Sequence, residues 1–194
     1  MIVIIDYGAG NTASVINVLE ELKAEFVLSN DKKIIQSADK IILPGVGEAS
    51  SAMRKLNELN LVEELRNTTK PFLGICLGMQ LLFSKTEEGN VECLNVIPGE
   101  VKKFNLANIK VPHMGWNEII KLNRDELLSE INDKTFFYFA HSYYVPKNDF
   151  STSFSNYGLN FSASVRYKNF YGVQFHPEKS AQQGIQIIKN FLSL

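Results

Sequence analysis

Cysteine is scarce in this chain, with only Cys76 and Cys93 among 194 residues. Two thiols do not make a disulfide framework, so a reducing compartment is expected. Long apolar runs are missing as well. The opening segment Ile2-Val3-Ile4-Ile5 is cut short by Asp6 and has no basic leader. It is too short for a signal peptide or a membrane span, and the expected location is the cytoplasm. Charge of one sign is also missing: 20 Lys and Arg face 21 Asp and Glu, for a net charge of -1. No broad basic field invites nucleic acid or an anionic membrane. No His/Cys/Asp cluster has the spacing of metal ligands, so no metal or other cofactor is expected. There is no repeat, low-complexity tract or interdomain linker. With 45% hydrophobic and 21% charged residues, residues 1–194 are expected to form one soluble domain with a core of its own.

What is present is a change of texture between the two halves. Short branched apolar runs recur at Ile2 to Ile5, Phe26 to Leu28, Ile41 to Leu43 and Phe72 to Ile75. None alternates with polar residues, which is the pattern of strands buried on both faces of a parallel sheet. Val15, Val18, Leu19 and Leu22 fall at helical spacing within Ser14 to Lys23, and Met53, Leu56, Leu59 and Leu65 give a less regular second case. Strand–helix–strand alternation predicts a three-layer α/β domain. In the second half, Asn117 to Lys121, Thr135 to Phe139, Ser162 to Tyr167 and Phe170 to Phe175 read as strands, several of them antiparallel. An amphipathic helix over Ala181 to Leu192, with Ile185, Ile188, Phe191 and Leu192 inward, closes the domain.

Two motifs carry chemistry. Gly74-Ile75-Cys76-Leu77-Gly78 follows an apolar strand and precedes the helical run Met79 to Phe83. It has the form of a nucleophile elbow with Cys in place of Ser, whose glycines remove side chains that would clash in a sharp strand-to-helix turn. The amides of the following helix favour thiolate. The bare pattern fits a small buried hydrophobe as well. Near the other end, Phe175-His176-Pro177-Glu178 places a carboxylate two residues from an imidazole. In extended chain the two side chains share a side, and the carboxylate fixes the tautomer that leaves the other ring nitrogen free to take a thiol proton. An isolated His-x-Glu is more often a surface ion pair or a packed histidine.

Together, Gly74-Ile75-Cys76-Leu77-Gly78-Met79-Gln80 and Phe175-His176-Pro177-Glu178 resemble the class I glutamine amidotransferases. The resemblance runs from end to end. It implies a flavodoxin-like three-layer domain with a mainly parallel central sheet and additional antiparallel strands. It also implies a triad of Cys76, His176 and Glu178 that hydrolyses glutamine to glutamate and ammonia through a thioester. Three further segments narrow the resemblance: Asp6-Tyr7-Gly8-Ala9-Gly10-Asn11, Lys110 to Asn117, and Tyr138 to Tyr143. They are similar to the branch that passes ammonia to a separate cyclase subunit, a (β/α)₈ barrel making imidazole glycerol phosphate in histidine biosynthesis, within a heterodimer. A paralogous glutaminase feeding a sugar amidotransferase is the nearest alternative. A cysteine peptidase or γ-glutamyl hydrolase, or a regulatory subunit without chemistry, is more distant.

The same resemblance assigns further roles. Pro44-Gly45-Val46-Gly47 matches the oxyanion strand, with Val46, Gly47 and Leu77 as its donors and with Gly45 and Gly47 leaving the peptide able to rotate. Gly45, Gln80, Glu88, Ser142 and Tyr143 match residues around bound glutamine. Asn11, Trp116, Tyr138 and Lys179 match residues at the partner interface and ammonia exit. Read without the resemblance, Gln80 is a solvated helix residue, Glu88 a loop acid and Trp116 a core anchor. His113 and His141 read as structural, and Cys93 has no motif around it. Two departures from the family pattern are Glu48-Ala49, where many members have a small residue and Phe, and the irregular stretch Glu87 to Leu94.

Overall fold

The computed structural model describes residues 1–8, 11–107 and 109–194; Ala9 and Gly10, inside the Asp6-to-Asn11 motif, and Asn108 lie outside the described residues. The first half alternates as expected: β1 (Ile2–Ile5), α1 (Thr12–Glu21), β2 (Phe26–Ser29), α2 (Lys32–Ser37), β3 (Lys40–Leu43), α3 (Ala49–Glu58), α4 (Val62–Arg66) and β4 (Phe72–Ile75). The second helical pattern is thus two helices, broken where Asn60 turns the chain at a φ of 56°. After β4 come a single turn, α5 (Leu77–Gln80), and three strands, β5 (Phe83–Thr86), β6 (Val91–Glu92) and β7 (Ile97–Lys103). Then follow β8 (His113–Glu118), β9 (Ile120–Lys121), β10 (Phe136–His141), β11 (Tyr143–Tyr144), β12 (Ser151–Asn156), β13 (Asn160–Tyr167), β14 (Phe170–Val173) and α6 (Ala181–Ser193).

Eight strands form the central sheet in the order β2-β1-β3-β4-β14-β13-β12-β9. The pairs from β2 through to β14 are parallel, and β13, β12 and β9 extend the sheet antiparallel. Successive strand residues feed two separate cores. Val3, Ile5, Ile41, Leu43 and Phe72 pack with Ile35 of α2 and with Ala52, Met53 and Leu56 of α3. Ile2, Ile4, Ile42, Leu73 and Ile75 pack on the other face with Val15 and Leu19 of α1 and with Ile187, Ile188 and Phe191 of α6. A sheet covered on both faces is why those runs are continuously apolar. In α6, Ile185 and Leu192 are only half-buried, and Ile187 supplies the inward position instead.

Outside this sheet, β11-β7-β5-β6 form a second one and β8 pairs with β10 in a two-stranded ribbon. The strand expected over Asn117 to Lys121 is therefore two pieces in two sheets: Asn117 and Glu118 end β8, and Ile120 and Lys121 form β9. The helical run expected over Met79 to Phe83 is one turn, because Phe83 starts β5 and pairs with Ile97. Among the described residues, no helix is long and apolar enough to cross a membrane.

Candidate active site

Four parallel strands deliver chemistry at their carboxyl ends, where ligands of open α/β sheets bind. Tyr7 follows β1, Pro44 follows β3, Cys76 follows β4 and His176 lies three residues past β14. Cys76 sits at φ 53° and ψ -105°, held there by its amide on Val173 O at 2.8 Å. The elbow closes because Gly78 carries no side chain. A Cβ on Gly78 would lie 1.9 Å from Leu43 O, so β3 and the elbow touch backbone to backbone.

His176 and Glu178 are not in extended chain. Pro177 starts a 3₁₀ turn, Pro177–Lys179, that folds the carboxylate back under the ring. Glu178 Oε1 accepts from His176 Nδ1 at 2.8 Å, with both side chains almost wholly buried. The backbone amide of His176 donates to Tyr138 O at 2.8 Å, and Ser180 Oγ donates to His176 O at 2.6 Å. Burial pulls the imidazole pKa down. The charge and hydrogen bond of Cys76, then those of Glu178, outweigh it and hold His176 up at about 10.

A cavity of ≈ 230 Å³ is lined by Cys76 and His176 together with Val46, Gly47, Leu77, Gln80, Glu88, Ser142, Tyr143 and Lys179. Of the residues assigned to oxyanion and substrate binding, Gly45 alone is not on its wall. A Cβ on Gly45 would lie 2.6 Å from Leu77 Cβ, so close packing rather than freedom to rotate requires that glycine. Gly47 is the residue at positive φ, 97°. A larger depression of ≈ 730 Å³, lined by Lys121 to Glu126 and Leu128 to Glu130, shares no residue with this cavity.

Gln80 is buried rather than solvated, and its Nε2 donates to Tyr143 O and to Gln174 Oε1, each at 2.9 Å. Glu88 is half-buried, and its Oε2 accepts from the Ala49 amide at the start of α3 at 2.9 Å. Burial raises its pKa, against the lowering effect of that amide and with a smaller push from Glu48. Cys93 is buried off the cavity wall. Burial first, and Glu88 second, push its thiol up to about 12.

Two of the interface candidates, Trp116 and Tyr138, lie on the ribbon. Alternation sends His113, Phe137, Phe139 and His141 inward and leaves Met114 at 64%, Trp116 at 53% and Phe136 at 54% exposure. Trp116 is thus no core anchor. Its ring meets Tyr138 edge-on at 6.2 Å, and Lys179 Nζ sits 6.0 Å above the Tyr138 ring. Asn11, half-buried, precedes α1.

The sequence assigns no role to two buried neighbours of Cys76, although Tyr7 lies within the Asp6-to-Asn11 motif. Tyr7 Oη donates to Pro44 O at 2.9 Å, and burial, then Cys76, raises its pKa. Gln174 Nε2 donates to Cys76 Sγ at 3.6 Å. Both are fixed by contacts across the sheet rather than along the chain. Among the described residues, no three His, Cys, Asp or Glu side chains are grouped to hold a metal ion.

A cysteine, histidine and glutamate arranged this way can perform acyl transfer. Residues 3–194 match the family model of the class-I glutamine amidotransferases. The chain belongs to this family. It is 46% identical over 195 residues to imidazole glycerol phosphate synthase subunit HisH of Bacteroides thetaiotaomicron, covering all of this chain and 99% of that protein. It is likewise 46% identical over 191 residues to the subunit of the same name from Haemophilus influenzae, covering 98% of this chain and 96% of the relative. A crystal structure of a glutamine amidotransferase superposes with a TM-score of 0.76 at 16% identity, covering 98% of this chain and 97% of the other, and so shares the fold. The mainly parallel sheet with antiparallel additions is that of class I amidotransferases. The activity is that of a glutaminase subunit of imidazole glycerol phosphate synthase, in histidine biosynthesis.

Proposed function

We propose that the chain works as one amidotransferase domain in which Cys76, His176 and Glu178 carry out glutamine hydrolysis. The observation that supports this is the shared cavity, whose wall combines Cys76 and His176 with Val46 and Gly47. His176 takes the thiol proton, and Sγ of Cys76 then attacks the glutamine amide carbon as the thiolate. The C–S bond forms, and the carbonyl electrons move onto an oxygen met by amides of Val46, Gly47 and Leu77. A single donor of this kind is worth roughly 2.7–4 kcal/mol. His176 returns the proton to nitrogen, the C–N bond breaks and ammonia leaves. Water then loses a proton to His176, attacks the thioester, and releases glutamate and the thiol. Glu178 keeps Nδ1 protonated and the ring aimed throughout. Gly45 lets the oxyanion strand approach the elbow. Gln80, Glu88, Ser142 and Tyr143 hold the α-amino and α-carboxylate end.

The ammonia is proposed to pass to a cyclase subunit, a (β/α)₈ barrel bound as a heterodimer in the cytoplasm, with Asn11, Trp116, Tyr138 and Lys179 at the contact. Exposed apolar area on the ribbon, whose Tyr138 carbonyl accepts from the His176 amide, supports that face. The decisive experiment measures glutamine hydrolysis by the chain alone and then with the cyclase and its ribonucleotide ligand. Low activity that rises sharply on both additions, and falls by at least about 10³-fold in Cys76→Ala or Glu178→Ala, is the expected result. Full activity without a partner overturns the gated subunit, and full activity in Cys76→Ala overturns the chemistry.

A further inference from the structure

We propose that Gln174 is a further catalytic residue: its side-chain amide donates to Cys76 Sγ and stabilises the attacking thiolate, locked in that orientation by the polar chain behind it. This rests on the reading of Cys76 as the nucleophile.

A carboxamide has an oxygen end and a nitrogen end of nearly equal shape, so its partners must fix which way it points. Here they do so one after another. The chain starts at Tyr143 O, a carbonyl that can only accept. It receives His141 Nδ1 at 2.7 Å and the Gln80 amide at 2.9 Å. Gln80 must therefore turn its NH₂ toward Tyr143. The second hydrogen of that NH₂ points at Gln174, 2.9 Å away, so the oxygen of Gln174 faces Gln80. Its own NH₂ is then turned the other way, onto Cys76 Sγ at 3.6 Å. Gln174 is wholly buried, which denies its amide water as an alternative partner, and Gln80, on the cavity wall, has both NH₂ hydrogens already taken.

The chain also extends outward. With Nδ1–H of His141 spent on Tyr143 O, its Nε2 accepts from His113 Nδ1 at 3.0 Å, and Asn117 Nδ2 lies 3.4 Å from His113 Nε2. Asn117 and His113 are both on β8 of the ribbon. The polar path from the sulfur thus reaches the ribbon strand β8, beyond the Tyr143 carbonyl that sets its direction.

The donor has work to do because the other neighbours of the sulfur leave a deficit. Ala140 O lies 3.8 Å from Sγ and, as an acceptor, favours the thiol over the thiolate. The Tyr7 hydroxyl is committed to Pro44 O. The helix after the elbow is one turn long, so its aligned dipoles are few. His176 balances charge but must also move the proton. A neutral N–H donor facing sulfur favours the charged form and adds no charge of its own to hold the proton back.

The test is alkylation of Cys76 by iodoacetamide across pH, read by mass spectrometry to separate it from Cys93, in the full chain. Gln174→Met removes both the donor and the acceptor without adding charge, while Gln174→Glu keeps the acceptor that Gln80 needs and puts a carboxyl group in place of the amide donor. In each, the midpoint of the alkylation profile should rise by about one pH unit, a roughly ten-fold loss of thiolate at a given pH. For Gln174→Glu in the activated enzyme, kcat should fall by a comparable factor with KM for glutamine within about two-fold, which general loosening of the core would not produce. Unchanged profiles and kcat in both variants overturn the proposal. Should neither variant fold, the side-chain amide resonance of Gln174 in the wild-type chain decides: it should shift in Cys76→Ala, and a stationary resonance overturns the proposal. Retained activity in Cys76→Ala takes down the nucleophile reading as well. An inactive Cys76→Ala beside unaffected Gln174 variants removes the amide's role alone.

Discussion

At the scale of single residues, the site is built where backbone is forced against backbone. Cys76 occupies a left-handed φ of 53°, which costs a residue with a side chain about 1–3 kcal/mol. The strain is held by contacts on either side: the Cys76 amide on Val173 O and the bare Cα of Gly78 against Leu43 O. Gly78→Ala places a methyl 1.9 Å from that carbonyl oxygen, which no rotamer relieves. The expected loss is on the order of 3 kcal/mol of unfolding free energy, measured by urea titration. Wild-type stability in that variant would mean that the elbow does not press on β3. The Gly-x-Cys-x-Gly spacing announces this residue in the sequence because the constraint is local. Gln174 announces nothing, because a Gln between Val173 and Phe175 is meaningful only once β14 is laid beside β4, and Tyr7 sits in a recognisable motif without declaring its contact with Pro44.

At the scale of elements, the ribbon of β8 and β10 shows where period-2 reading fails. Phe136-Phe137-Tyr138-Phe139 is a run of four aromatics, so no polar residue marks which face is out. Pairing settles it: Trp116 opposite Tyr138 and Glu118 opposite Phe136 face outward, while Phe137 and Phe139 enter the core. The doubly buried strands β1, β3 and β4 were legible for the opposite reason, since both their faces want apolar side chains. The segments Phe83–Thr86 and Ile97–Lys103 carry mixed polar residues and pair outside the main sheet, and their pattern alone does not declare a strand. An exposed Trp on a rigid ribbon makes a specific expectation. Trp116→Ala should change unfolding free energy by less than about 1 kcal/mol, yet weaken binding of the proposed cyclase by about 2 kcal/mol or more, roughly thirty-fold. Calorimetry with the partner and urea unfolding without it separate the two. Equal loss in both would return Trp116 to the role of core anchor.

At the scale of the whole molecule, the three histidines make opposite demands on pH, and their sum is a fingerprint of the assembled fold. His113 and His141 are opposite each other on the paired strands of the ribbon, 3.0 Å apart, and His141 lines the cavity. Burial is the largest influence on each, and it lowers their pKa values to about 4 and about 3. For His141 the carbonyl of Tyr143 resists that lowering, and His113 and His176 add to it. A depressed folded pKa gives stability that is present above the unfolded value, near 6.5, and is lost as pH falls toward the folded one. His176 behaves in the opposite sense. Its pKa, raised to about 10, gives stability that is full below about 6.5 and is lost as pH rises through 10. Between pH 6.5 and pH 5, before most carboxylates titrate, the buried pair therefore dominates. Two such groups should cost the chain roughly 3 kcal/mol over that interval. Replacing one, in His141→Gln, should about halve the slope of unfolding free energy against pH there. Urea unfolding at half-unit pH steps measures both. A flat wild-type profile from pH 6.5 to 5 would mean that the imidazoles are open to protons in the folded chain. The amide order at Cys76, anchored on the Tyr143 carbonyl, does not depend on that outcome.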